Sequence, residues 1–304
     1  MLTVSNYHYI RTNFDSKFPS IFGITPANFK KQLLLFKKMG ILISIHDVSE
    51  NTQSILESKE NYYLINFDDG LKEQIDLALP ILDELQIPAL FFANSINFEQ
   101  KKVSTVHKIH LISSIIDSNI ILKSIQNEFS IQSDKNDRNN ALATCRFDTK
   151  EDGLLKYILN FKLNLEQQEL VINTLFNNHF DEQQVLNELY MSQSDLKYLA
   201  SKNYLGSHNH SHFPLGTLNE TEILFELTNS KNYFENLTNS KIHNVSYPYG
   251  TEKAVTPLVA ELAVKSGYKL GFTTKVGDNT GSENLLELKR FDCNDLVGGK
   301  NYKG

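Results

Sequence analysis

Tyr62-Tyr63-Leu64-Ile65-Asn66-Phe67-Asp68-Asp69-Gly70 decides how this chain folds. The apolar run reads as a buried strand, and two adjacent carboxylates stand at its mouth. Packing does not explain a charged pair there, because an unpaired buried carboxylate is costly. At a strand end the two side chains diverge, so one can ligate a metal while its neighbour handles a proton. Gly70 permits the sharp turn that lifts both above the sheet. An Asp-Asp-Gly turn is also an ordinary way to end a strand, so other segments must decide between the two readings.

The first of these is Leu205-Gly206-Ser207-His208-Asn209-His210-Ser211-His212, with its histidines again just beyond a short apolar strand. His208 and His212 are four residues apart, which on a helical turn would stack them on one face within reach of a single ion. His210 would then point elsewhere, as a bystander or a supporting residue. Together with the paired carboxylates, the cluster points to a metal site. The second is Val245-Ser246-Tyr247-Pro248-Tyr249-Gly250, a strand ending in a turn that can aim a backbone N–H into a cleft, as an oxyanion hole requires. By itself it would be a plain strand-terminating turn.

In order, these segments resemble the polysaccharide deacetylase family, the NodB-homology or carbohydrate esterase 4 group. The family's Thr-Phe-Asp-Asp-Gly is similar to Asn66-Phe67-Asp68-Asp69-Gly70, its His-(Ser/Thr)-x-x-His to His208-Asn209-His210-Ser211-His212, and its Arg-x-Pro-Tyr to Ser246-Tyr247-Pro248-Tyr249. The resemblance extends through Leu71 to Phe92 and returns at Ser266-Gly267-Tyr268 and Gly271-Phe272-Thr273-Thr274, but not over roughly residues 98 to 195. It implies Asp68 as general base, Asp69, His208 and His212 as ligands of a divalent metal, usually zinc, and the Tyr249 backbone N–H as an oxyanion donor. Three N/O ligands at about 2.0–2.2 Å would leave a position for water, as in catalytic rather than structural zinc sites.

Two departures bear on mechanism. Ser246 stands where the family has an arginine that orients the base, and no histidine follows His243 to supply the usual late general acid. A branch of the family acting on exopolysaccharide carries that acid in an N-terminal Tyr-His-x-(Val/Ile) strand, which Tyr7-His8-Tyr9-Ile10 resembles. His8 is therefore the expected acid, the alternative being a strand-end histidine with a packing role. Arg290, in Arg290-Phe291-Asp292, is the candidate to replace the missing arginine, with Asp292 as its orienting partner.

The 304 residues can hold one large α/β domain or a barrel with an insertion. Apolar and charged contents of 40% and 22% fit a globular protein, and a net charge of −6 offers no basic footprint for nucleic acid. Lysines spread along helical faces are expected in solvent. Met1 to Ile10 lacks the features of a signal peptide, and Leu33 to Ile45 is too interrupted by lysine to span a bilayer. Cys145 and Cys293 suggest neither a metal pair nor a disulfide framework, so the expectation is a cytoplasmic protein.

The resemblance implies an irregular (β/α) barrel of about seven parallel strands; the βαβ rhythm of elements is consistent with that count, and the motifs fall at C-terminal strand ends, where such barrels carry their active sites. Residues 1–97 and 196–304 would form the two parts of the barrel and 98–195 a helical insertion. Thr25-Pro26 opens a helix closed by Gly40, and Ile41 to Ile45 reads as a strand. Within the insertion, Val106 to Ile121, Leu154 to Phe176 and Val185 to Tyr190 read as helical, and Ser133 to Asn140 as a polar loop. His107 and His110, with no carboxylate near in sequence, read as part of a surface helix. Any sugar-stacking platform must use the 13 tyrosines or 19 phenylalanines, since tryptophan is absent.

The resulting expectation is a metal-dependent hydrolase removing N-acetyl from an amino sugar, on a nucleotide- or lipid-linked precursor of a bacterial surface polysaccharide or on an oligosaccharide. Alternatives are a deformylase or O-acyl esterase on such a precursor, and a catalytically silent carbohydrate-binding protein on the same scaffold. Four intact clustered ligand-type residues, Asp68, Asp69, His208 and His212, count against the silent protein.

Overall fold

The computed structural model describes residues 1–14, 23–144, 148–299 and 301–302. Cys145 lies outside the described residues. The strands β1 (Leu2–Tyr7), β2 (Ile41–Leu42), β3 (Tyr62–Phe67), β4 (Ala89–Ala93), β5 (Leu205–Ser207), β6 (Asn244–Ser246), β7 (Leu270–Phe272) and β8 (Phe291–Asp292) form one sheet. Its order is β7-β6-β5-β4-β3-β1-β8, with β2 paired beside β3, and every strand pairing is parallel. Seven strands thus lie on the main path. The segment leading into β8 joins the sheet's two ends: Leu288 exchanges backbone hydrogen bonds with Gly271 and Thr273 at β7, and Phe291 and Asp292 pair with β1. The architecture is an irregular (β/α) barrel.

β1, β3 and β4 are buried along nearly their whole length, covered on both faces as parallel strands usually are. Phe67 and Phe91 stack across adjacent strands with centroids 4.6 Å apart, and Tyr7 meets Phe29 edge-on at 4.9 Å. Phe29, Leu33 and Phe36 deliver the predicted buried face of helix Pro26–Met39, opened by the Thr25 side chain and closed at Gly40.

Between β4 and β5 the described residues form helices and no strand of the sheet: Ile96–Glu99, Thr105–Ser113, Ser118–Phe129, Lys135–Thr144, Lys150–Phe161, Leu165–Asn177, Glu182–Leu189 and Gln193–Ser201. A single hydrophobic cluster runs from Phe67 and Phe91 of the barrel into Ile109, Leu155, Ile158 and Ile172 of these helices.

Local structure departs from the sequence pattern where side-chain caps intervene. The strand expected over Ile41 to Ile45 ends at Leu42, because Ser44 caps helix Ile45–Glu50 through the Asp47 N–H. The polar stretch 133–140 is mostly helix, since Asp134 and Asp137 satisfy each other's backbone N–H groups and start Lys135–Thr144. Leu154 to Phe176 divides where Asn164 and Gln167 form a capping box, and Val106 to Ile121 divides at Asp117. The helix after Gly70 includes a π-helical turn, Gln74–Ala78, before it continues as Leu79–Leu85.

Phe91→Ala should lower stability by about 3–5 kcal/mol through the cavity it leaves beside Phe67. Urea denaturation measures this, and a loss below about 1 kcal/mol would contradict the stacked core.

Candidate functional site

The sequence motifs meet at the C-terminal ends of the strands. Asp68 continues β3, its N–H bonded to the Tyr7 carbonyl at 2.9 Å. Asp69 and Gly70 then take φ of 78° and 64°, turning the chain sharply. A Cβ on Gly70 would lie 2.8 Å from that of Ala93, so glycine serves both the turn and the close approach to β4. A left-handed non-glycine residue such as Asp69 is strained, and such strain clusters at functional sites.

Asp68 and Asp69 are only 2% and 4% exposed. Asp68 is gripped by Arg290, whose Nη1 lies 3.0 Å from Oδ1 and Nη2 2.9 Å from Oδ2, while Asn6 donates to Oδ2 at 3.0 Å. Burial pushes the Asp68 carboxyl up, but Arg290, His208 and His8 together outweigh it and hold the pKa below the ordinary carboxylate range. Arg290 is itself aimed by Nε donating to the Thr273 carbonyl at 2.8 Å. The guanidinium that the Ser246 position lacks therefore reaches Asp68 from the segment entering β8. Asp292 lines the same cleft, and its Oδ1 accepts from the Asn294 N–H and side-chain amide at 2.8 and 3.0 Å, capping the turn Cys293–Asp295.

Asp69 faces histidines. Its Oδ1 lies 3.4 Å from His208 Nε2 and 3.2 Å from His212 Nε2, and its Oδ2 lies 3.4 Å from His107 Nε2. Burial raises the Asp69 carboxyl, and these three imidazoles bring it well below its usual value. Burial likewise lowers His208, but Asp68, Asp69 and the Ser246 carbonyl raise it more. His212 lacks that second carboxylate and burial holds it down to about 4.

His208 and His212 meet edge-on, with centroids 4.9 Å apart, but not on the helical turn that their spacing suggests. Asn209 and His212 adopt φ of 60° and 66°, so the segment is a tight loop. Buried Glu226, on helix Glu220–Thr238, fastens it by accepting from the His210 and Ser211 N–H groups at 3.0 and 2.8 Å and from Ser211 Oγ at 2.6 Å. His210 turns away to Ser95 and Gln100.

His8, 34% exposed, stands at the rim with Nε2 3.8 Å from Asp68 Oδ2. Gln74, in the π-helical turn, donates to the carbonyls of both His8 and Asp68, at 2.9 and 2.6 Å. A π-helical turn at such a place is a common functional device. Tyr249, at φ 62°, packs its ring edge-on at 5.4 Å from His212, and Thr274 Oγ1 holds its carbonyl at 2.8 Å.

The helices inserted after β4 wall this cleft of about 210 Å³, with Val106, Ile109 and His110 from one helix and Lys156 and Asn160 from another. The expected surface helix is corrected here. His107 is 1% exposed and faces Asp69, because Thr105–Ser113 packs its histidine face onto the barrel mouth. Lys108 and Lys156 are also buried rather than solvated, paired with Glu182 and Asp148 at 2.8 Å each. In sequence, the signal for His107 was no more than an i, i+3 histidine pair among apolar residues.

The donor set suits a divalent ion. Among the described residues, Asp69, His208 and His212 form the group whose ligand atoms all lie within 4.8 Å of one another. Bonds of about 2.0–2.2 Å at tetrahedral angles place ligand atoms roughly 3.3–3.6 Å apart, close to the 3.2 and 3.4 Å from Asp69 Oδ1 to the two imidazoles. Asp69 Oδ1 is buried with no hydrogen-bond partner, and His208 Nδ1 lies 2.7 Å from the Ser246 carbonyl, a bond that leaves Nε2 bare.

The family model described as polysaccharide deacetylase matches residues 172–271. The match covers about a third of the chain. That match holds the histidine loop, β6 and β7, whereas the Asp68-Asp69 turn lies outside it and reaches the same site through the fold. The Bacillus subtilis (strain 168) protein YxkH, whose name ascribes it to this family, is 28% identical over 114 residues, covering 37% of this chain and 40% of YxkH. The Streptococcus pyogenes deacetylase PplD, solved with acetate, aligns over 96% of this chain and 91% of its own at 17% identity, with a TM-score of 0.55. The BpsB deacetylase domain of Bordetella bronchiseptica aligns over 96% and 95% at 15% identity, with a TM-score of 0.58. At these identities the two structures share the fold. Among the described residues no helix is long and apolar enough to cross a membrane.

Arg290→Met should cost about 3–5 kcal/mol, because it leaves Asp68 buried and uncompensated. Adding Asp68→Asn should recover much of that loss in urea denaturation. Losses that simply add would show that the pair is not coupled.

Proposed function

We propose that this chain is a metal-dependent carbohydrate N-deacetylase that removes an N-acetyl group from an amino sugar. The observation that carries this reading is the pair of buried carboxylates held in different ways, Asp68 by a guanidinium and Asp69 among imidazoles, at the mouth of a barrel whose residues 172–271 match the polysaccharide deacetylase model.

Asp69, His208 and His212 would hold a divalent ion, with zinc the expected one. When bound, such an ion polarises an acyl carbonyl and makes water more acidic. Asp68 is the proposed general base. Arg290 keeps it ionised and fixes its two oxygens, so it can accept a proton from the attacking water across a broad pH range. His8, solvent-accessible and 3.8 Å from Asp68, is the proposed general acid that protonates the departing amine. The Tyr249 backbone N–H is the proposed oxyanion donor, set by the left-handed turn beside His212. A cytoplasmic site of action, drawn from cysteine usage, would go with a nucleotide- or lipid-linked amino-sugar precursor of a surface polysaccharide.

The test is to incubate the zinc-loaded protein with acetylated and formylated amino sugars, free, nucleotide-linked and oligomeric, and to follow the appearance of a free amine. Release of acetate with a matching amine supports the proposal. Release of formate alone, of acid without amine, or of neither overturns it.

Two variants check the roles. Asp68→Asn should retain zinc yet lose about 10²–10⁴-fold in turnover, the usual worth of a positioned base. Loss of the metal instead would mean that the two carboxylates have exchanged roles. His8→Ala should retain zinc and slow amide cleavage, with an activated ester, whose leaving group needs no proton, affected much less. Equal losses on both substrates would make His8 a structural or binding residue.

A further inference from the structure

His107 belongs to the inserted helices and to none of the three barrel motifs, yet its imidazole closes the third side of the Asp69 carboxylate. It is 1% exposed, and its Nε2, 3.4 Å from Asp69 Oδ2, has no formed hydrogen bond. A shift of roughly half an ångström would close that gap to an ordinary hydrogen bond of about 2.9 Å. His208 and His212 both face the other oxygen, Oδ1. The two oxygens of one buried carboxylate are thus divided between two imidazoles from the barrel and one from the insertion.

The other ring nitrogen indicates which proton His107 carries. Nδ1 lies 2.6 Å from the hydroxyl of buried Tyr190, and that hydroxyl accepts from the Ser104 N–H at 3.1 Å. An ionised Asp69 carboxylate can only accept, so the proton that would bridge Nε2 and Oδ2 belongs to Nε2, which leaves Nδ1 to accept from the Tyr190 O–H. Burial raises the phenol well above its ordinary range, so it keeps this proton. The imidazole proton then sits on Nε2 and points at Asp69. Tyr190 is held in place by an antiparallel bridge to Leu71, and the next residue, Met191, donates its N–H to the Gly70 carbonyl at 3.0 Å. The insertion is therefore clamped to the same turn that presents Asp68 and Asp69.

We propose that His107, its tautomer set by Tyr190, is a positioning residue that engages Asp69 Oδ2 and so commits Oδ1 to a divalent ion shared with His208 and His212. Partners of this kind orient a ligating carboxylate and typically contribute 10–100-fold to metal affinity. They also prevent the carboxylate from swinging its second oxygen onto the ion. The inference rests on the metal site proposed above, and its experiment separates the two.

Zinc affinity is measured by competition with a chromophoric chelator for the full chain and for His107→Leu, His107→Gln and Tyr190→Phe, with circular dichroism to confirm folding. His107→Leu should bind zinc about 10–100-fold more weakly. His107→Gln, whose amide can still donate to Oδ2, should recover most of that loss, and Tyr190→Phe should fall between. With cobalt(II) in place of zinc, the visible bands of His107→Leu should change intensity as Asp69 becomes bidentate, while those of His107→Gln stay close to the parent. Should His107→Leu fail to fold, the Gln and Phe variants carry the same comparison. Parent-like affinity in both the Leu and Phe variants overturns the role of His107 and leaves the metal site standing. An affinity loss beyond about 10³-fold in both Leu and Gln variants would make His107 a direct ligand and overturn the positioning role. A parent chain that binds no zinc overturns the metal site, and this inference with it.

Discussion

Two adjacent carboxylates buried at one strand end must each be compensated, and much of the structure around them serves that requirement. Leaving either charge unpaired in such surroundings would cost several kcal/mol, a large share of a domain's net stability. Asp68 is compensated by a bidentate guanidinium and an amide, and Asp69 by imidazoles alone. Because the partners differ, the adjacent side chains differ in character. One is a carboxylate held ionised with both oxygens bonded. The other presents to two imidazoles an oxygen that has no hydrogen-bond partner. The supporting contacts follow from this division: Thr273 aims Arg290, Ser246 sets the His208 ring, and Glu226 folds the histidine loop.

The inserted helices share this task. They pack continuously with the barrel core, bring His110, Lys156 and Asn160 to the cleft and set His107 against Asp69. They also cover apolar and charged groups that would otherwise face water at the barrel mouth. A substrate thus meets a walled cavity whose chemistry comes from the strand ends and whose shape comes partly from the insertion.

The barrel was legible because its signals are short-range. Apolar runs such as Tyr62–Phe67, the Thr25-Pro26 opening, and carboxylates and histidines just past strand ends each reflect a local physical cost or preference. Arg290 was legible as a candidate because the Ser246 position called for a missing guanidinium. The bond from Asn294 to Asp292 Oδ1 was not, since it belongs to the turn that immediately follows. Spacing misled at His208 and His212, where a fixed separation of four suggested a helical turn and two left-handed residues made a loop instead. His107 was read as part of a surface helix and Glu226 escaped notice because their significance depends on tertiary packing. Nothing within several residues of either one points to Asp69 or to the histidine loop. Lys108 was misjudged for the same reason, as its acceptor Glu182 comes from a distant helix, whereas Asp148, the acceptor of Lys156, lies just before that lysine's own helix.

The most direct test is an anomalous-scattering experiment on crystals of the zinc-loaded protein, recorded on both sides of the zinc absorption edge. The account predicts one strong peak within about 2.0–2.2 Å of Asp69 Oδ1, His208 Nε2 and His212 Nε2. A peak elsewhere, or none between these three atoms at saturating zinc, would contradict it.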